Sequence, residues 1–118
     1  MSDNNKAILT EANAAVAAGD YEKFLSLCTD DTEWTFVGDT VLKGKQAVRE
    51  YMTNTYVFPP IVTVKQLIAE GDFLTAVGEI TLKDQEGIST LYSYCDVWRF
   101  DLGKMAELNA FVVEIGKV

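Results

Sequence analysis

Ile88-Ser89-Thr90-Leu91-Tyr92-Ser93-Tyr94-Cys95-Asp96-Val97-Trp98-Arg99-Phe100 is the stretch from which the fold is read. With the two-residue period of a strand, its even positions carry Ile88, Thr90, Tyr92, Tyr94, Asp96, Trp98 and Phe100, and its odd positions Ser89, Leu91, Ser93, Cys95, Val97 and Arg99. Four large rings then share a face with one carboxylate. A charge isolated among apolar groups costs several kcal/mol unless it is paired or neutralised. Asp96 is therefore either a carboxyl turned to a ligand or one whose partners lie elsewhere in the fold.

Downstream, Asp101-Leu102-Gly103 ends this strand, and residues 104–115 pair back on it. A three-residue loop with Gly103 left-handed sets Trp98 against Ala106, Asp96 against Leu108 and Tyr94 against Ala110. A two-residue loop instead sets Glu107 against Trp98 and Asn109 against Asp96. The first is preferred, because it puts Glu107 near Arg99 on the other face and small residues against large rings. The other face then carries Leu91, Cys95, Val97, Phe111 and Val113, too much apolar surface for a solvated layer. A homodimer through that face is expected, unless the first or third helix covers it.

Upstream, residues 61–70 and 73–83 read as strands joined by a Gly71-Asp72 hairpin turn, and Asp84 to Gly87 turn the chain into the aromatic strand. The chain opens with an Ala-rich helix over residues 4–18, stopped by Gly19. Asp20 caps a second helix with Tyr21, Phe24, Leu25 and Cys28 on one side, ended by Thr29, Asp30 and Asp31. Residues 32–37 read as a strand, and Gly38, Asp39 and Thr40 as the loop beyond it. A third helix starts near Gly44 or Lys45, carries Ala47, Val48, Tyr51 and Met52 on one side, and fades by Asn54 before Pro59 and Pro60. The apolar link Thr55-Tyr56-Val57-Phe58 is read as the rim of a cavity. The order gives an α+β fold with three N-terminal helices against a sheet.

The chain has 118 residues, 48% of them hydrophobic, enough for one packed core and one domain over residues 1–118. A formal charge of −8, with no run of Lys or Arg, argues against nucleic acid and anionic membrane as partners. No apolar run approaches the ~20 residues of a membrane span, and the first residues lack a signal peptide's apolar core, so a cytoplasmic location is expected. Cys28 and Cys95 fit no metal spacing and read as reduced, part-buried hydrophobes. Histidine is absent, which removes His-based triads and the usual zinc and iron sites. Acid or base chemistry must come from Asp, Glu, Tyr, Lys or Cys with a shifted pKa.

Ala18-Gly19-Asp20-Tyr21-Glu22-Lys23-Phe24-Leu25, Asp30-Asp31 before a strand, Gly44-Lys45-Gln46-Ala47-Val48 opening a helix, and Asp96-Val97-Trp98-Arg99-Phe100 running into Gly103-Lys104 follow in a set order. Together they resemble the SnoaL-like branch of the nuclear transport factor 2-like superfamily over nearly the whole chain. The resemblance implies a cone: three helices on a strongly curved antiparallel sheet, an internal pocket between them, and frequent dimerisation. In the ketosteroid isomerases of that superfamily, an aspartic acid in an Asp-x-x-Arg-Phe setting stays protonated and donates to the developing oxyanion. Asp96 matches it, whereas Thr35 falls at the aspartate base and Ala12 near the tyrosine donor, so a steroid-type isomerisation is not implied. The resemblance to the epoxide hydrolases is weaker, and the absence of histidine departs from the polyketide cyclases.

The expected ligand is a small apolar or aromatic carbonyl compound, with Asp96 as acid or hydrogen-bond donor for isomerisation, cyclisation or dehydration. Tyr92, Tyr94, Trp98, Thr35, Leu108, Ala110, Tyr51 and Tyr56 are the expected ligand-binding residues, with no metal or cofactor. Glu79 and Glu33 are candidate bases that strand alternation places outside. The alternatives are a domain that binds without turnover, or a dimerisation scaffold with Asp96 tied to Arg49 or a tyrosine hydroxyl.

Overall fold

The structure, a computed structural model, describes residues 2–118. Helix α1, Ser2–Ala17, ends where Gly19 takes a φ of 78° and the Gly19 and Asp20 amides donate back to the Val16 and Ala15 carbonyls. The Asp20 carboxylate then accepts the Lys23 amide at 3.1 Å and caps α2, Tyr21–Ser26. Helix α3 spans Lys45–Thr55. The strands are β1 (Cys28–Phe36), β2 (Thr40–Lys43), β3 (Ile61–Glu70), β4 (Phe73–Lys83), β5 (Ser89–Asp101) and β6 (Lys104–Lys117).

Six strands form one sheet in the order β2-β1-β6-β5-β4-β3. Every pairing is antiparallel except β1 with β6, which is parallel, so the sheet is mixed. This long-range pair explains why α2 stops short and Cys28 begins a strand instead of ending a helix. The Met105 amide donates to the Leu27 carbonyl at 2.9 Å, and the buried Thr32 hydroxyl donates to the Met105 carbonyl at 3.1 Å. Asp30 and Asp31 sit in the irregular part of that pairing with their side chains exposed, which is how two acids are accommodated inside a strand. Strand β2 has no counterpart in the sequence pattern. It is short, lies on the sheet edge and takes its bonds from β1.

The β5–β6 register differs from both expected alternatives. Leu102 and Gly103 make a two-residue turn, both with positive φ (50° and 80°), and Asp101 faces Lys104. The register then shifts between Phe100, opposite Met105, and Arg99, opposite Glu107, which leaves Ala106 as the extra residue of a bulge. Asp96 consequently faces Ala110, Trp98 faces Leu108, and Ala106 does not oppose Trp98. The shift is of even parity relative to the preferred reading, so the faces stay as expected. Arg99 and Glu107 meet at 3.2 Å on the outer face.

All three helices pack on the concave face, where Leu9, Phe24, Val48 and Met52 bury against Trp34, Leu74, Trp98 and Leu108. Burying such side chains contributes about 1.5–3 kcal/mol each. Cys28 is part of this core, and burial pushes its thiol up to about 12. Neither α1 nor α3 covers the convex face, where Phe73, Phe111, Val113 and Ile115 are exposed. No described helix is long and apolar enough to cross a membrane.

Candidate functional site

The inward-facing residues stack in layers along the strands, and their sizes make a cavity of about 480 Å³ between sheet and helices. At the closed end, Leu74, Trp98, Leu108 and Trp34 stand side by side on β4, β5, β6 and β1, all buried. One layer up, Asp96 lies between Ala76 and Ala110, so its neighbours on both sides are small. In the next layer Tyr94 stands beside Gly78, and above it Tyr92 faces Glu114. Large floor, small middle and ring-bearing walls leave space where the carboxyl projects.

Gly78 sets the wall. A Cβ there would collide with the Thr63 carbonyl and lie 2.9 Å from the Tyr94 hydroxyl, so only glycine lets β3 and that ring close around the middle layer. The opposite wall is a chain of rings. Trp34 meets Trp98 edge-on at 5.9 Å, Phe36 lies 5.0 Å from Tyr51, and Tyr51 lies 6.0 Å from Tyr56. The Trp34 indole nitrogen is buried without a hydrogen-bond partner among the described residues, enclosed by these rings.

Asp96 has no ion pair and no hydrogen-bond partner among the described residues. Arg49, its one expected cationic partner, is held by Glu22 at 2.8 and 3.1 Å on the surface. Asp96 keeps part of its surface, as a group lining a hollow does, yet burial pushes its carboxyl up to about 7. The surrounding phenols move the same way. Burial, and then the Asp96 charge, pushes Tyr94 up to about 12; burial raises Tyr51, partly offset by a hydrogen bond with Thr55, and burial followed by the neighbouring Tyr51 raises Tyr56. At neutral pH these hydroxyls remain donors, and Asp96 is poised to carry or release a proton.

Of the residues expected at the site, Asp96, Tyr92, Tyr94, Trp98, Leu108, Ala110, Tyr51 and Tyr56 all line this cavity. Thr35 does not. It pairs with Asn109 on the outer row, because alternation gives the inner row to Trp34 and Phe36, and counting from distant landmarks misses that parity. Glu79 pairs with Lys65 at 3.3 Å and, like Glu33, lies away from the cavity. Asp39 and Glu114, unexpected at the site, stand in its lining. Glu114 is within reach of the sequence, since Leu108, Ala110, Val112 and Glu114 continue one row; Asp39 comes from a turn, where no period applies. Among the described residues, no cluster of His, Cys, Asp or Glu could hold a metal ion.

A family model described as a SnoaL-like domain matches residues 9–108. No curated protein matches the sequence. Among solved structures, SalBIII, described as an epoxide hydrolase/cyclase-like enzyme in pyran ring formation in the polyether salinomycin, is 20% identical over 94% of this chain and 92% of its own, with a TM-score of 0.87. An NTF2-like protein of unknown function from Burkholderia pseudomallei K96243 is 20% identical over 96% of this chain and 92% of its own, with a TM-score of 0.80. TerC, co-crystallised with polyporic acid, is 16% identical over 93% and 92%, with a TM-score of 0.79. At these identities the likeness is one of fold.

Proposed function

The chain belongs to the SnoaL-like domain family, and from that premise we propose that the cavity receives a small, largely apolar or aromatic carbonyl compound. Asp96, in its protonated form, donates a hydrogen bond to the carbonyl oxygen and polarises it for isomerisation, cyclisation or dehydration. One observation carries this reading: a carboxyl with no cation beside it projects into a ring-lined hollow between two alanines. A structural aspartate would be expected to have a partner. The cyclase-like description of SalBIII and the co-crystallisation of TerC with polyporic acid support the same class of ligand.

Binding without turnover is the second reading, and it has its own support. The other carboxylates in the lining, Asp39 and Glu114, are exposed at the mouth, so no base stands next to Asp96. Titration with 2-acetonaphthone separates the readings. Saturable quenching of Trp34 and Trp98 fluorescence, weakened at least tenfold in Asp96→Leu, is the expected result; quenching indifferent to that substitution overturns the role of Asp96. Deuterium uptake into the bound ketone's acetyl group above the buffer rate marks catalysis, and its absence leaves binding alone.

The same reading includes a homodimer through the convex face, supported by the exposed Phe73, Phe111, Val113 and Ile115. It also includes a cytoplasmic location, in keeping with two free cysteines.

A further inference from the structure

Resting on the reading of the cavity as a small-molecule site, we infer that its ligand carries a hydroxyl or an amine at the end left at the mouth, and that compounds with a carboxylate or phosphate there are turned away. The acids responsible come from separate elements. Asp39 is fixed in the turn between β1 and β2, where its amide donates to the Phe36 carbonyl at 2.9 Å, and Glu114 stands on β6 opposite Tyr92. Both are exposed, both line the cavity, and neither forms an ion pair among the described residues. No lysine or arginine lines the cavity among the described residues, and two lysines at strand ends are engaged elsewhere: Lys83 lies 5.1 Å over the Phe58 ring, and Lys117 donates to the Thr90 hydroxyl at 3.1 Å.

Depth adds a second constraint. Tyr92, which faces Glu114, and Asp96 are four residues apart on β5, which places Glu114 roughly 13 Å above the buried acid along the strand. Asp39 sits lower on the rim, in the tight turn just past Phe36 at the level of Ala110 and Asp96. A rigid ligand of two or three fused rings spans that interval. With its carbonyl at Asp96, its far end extends towards Glu114 with Asp39 on the rim beside it, and both carboxylates accept hydrogen bonds and offer none. A like charge a few ångströms away in a water-like dielectric weakens binding by roughly threefold to fivefold, so two of them amount to roughly tenfold to twenty-five-fold. The unpartnered Asp96 deeper in the same cavity adds to the bias against anions whenever it is ionised.

The test uses the full chain and two 2-acetonaphthones that differ at the 6 position, one with a hydroxyl and one with a carboxylate, titrated by tryptophan fluorescence at pH 7. At low salt the carboxylate is expected to bind at least tenfold more weakly than the hydroxyl. The gap should narrow as salt is raised, and fall below threefold in Asp39→Asn/Glu114→Gln. Equal binding of the two by the unsubstituted protein at low salt overturns the inference and leaves the small-molecule site standing. A gap that ignores both salt and the double substitution also overturns it, since size and not charge is then being read. Binding of neither compound overturns both this inference and the reading on which it rests.

Discussion

At the scale of single residues, Asp96 ties stability to proton uptake. In the unfolded chain its carboxyl titrates near 3.8, and in the fold at about 7. Between those values the folded protein holds the proton and the unfolded chain has lost it, so stability falls as pH rises through the window and levels off above 7. A tenfold difference in proton affinity between the two states is worth about 1.4 kcal/mol. Asp96→Asn should therefore be more stable than the natural protein at pH 8, by about 2 kcal/mol or more, with the gain shrinking towards pH 4. Urea unfolding at the two pH values checks this, and parallel curves would mean the carboxyl is solvated. Leu102 is a simpler case: fully exposed, with a φ of 50° that a branched side chain adopts at a cost. Leu102→Asn should add about 1 kcal/mol in the same assay. That leucine also explains why the register is hard to read, for nothing in Asp101-Leu102-Gly103 announces a turn with two left-handed positions, whereas Asn-Gly would have.

At the scale of elements, the hairpins and helices with glycine or capping signals are legible. Gly19 and Asp20 mark the α1–α2 junction, and Gly71-Asp72 the β3–β4 turn, as their periods and caps indicate. What stays hidden is non-local. The start of β1 depends on Met105, far along the chain, and local patterns carry no trace of a parallel partner. The Ala106 bulge is equally hidden, because one extra residue alters pairing without altering composition. Gly78 shows how narrowly such elements fit. Gly78→Ala would drive a methyl into the β3 backbone and against Tyr94, and should cost about 1–3 kcal/mol by thermal or urea unfolding. A neutral result would show that β3 can move away.

At the scale of the whole molecule, the face assignments are the durable part of the sequence reading. Parity places Asp96, Trp98, Leu108 and Ala110 inside and Phe111 and Val113 outside even though the expected register is wrong. Thr35 fails for the same reason that the others succeed, since it is located by landmark instead of by alternation. The outward row predicts assembly. Sedimentation at micromolar concentration should give about twice the 13.1 kDa of one chain, and Val113→Lys should reduce it to a monomer. A monomeric natural protein removes the dimer.

The Trp34, Leu74, Trp98 and Leu108 layer makes the inner end of the hollow a dead end. Under the proposed function, a stiff ligand would stop at this layer, and the tip that enters first would be the one presented to the acid. For such a ligand, orientation would be chosen on the doorstep, and departure would retrace arrival.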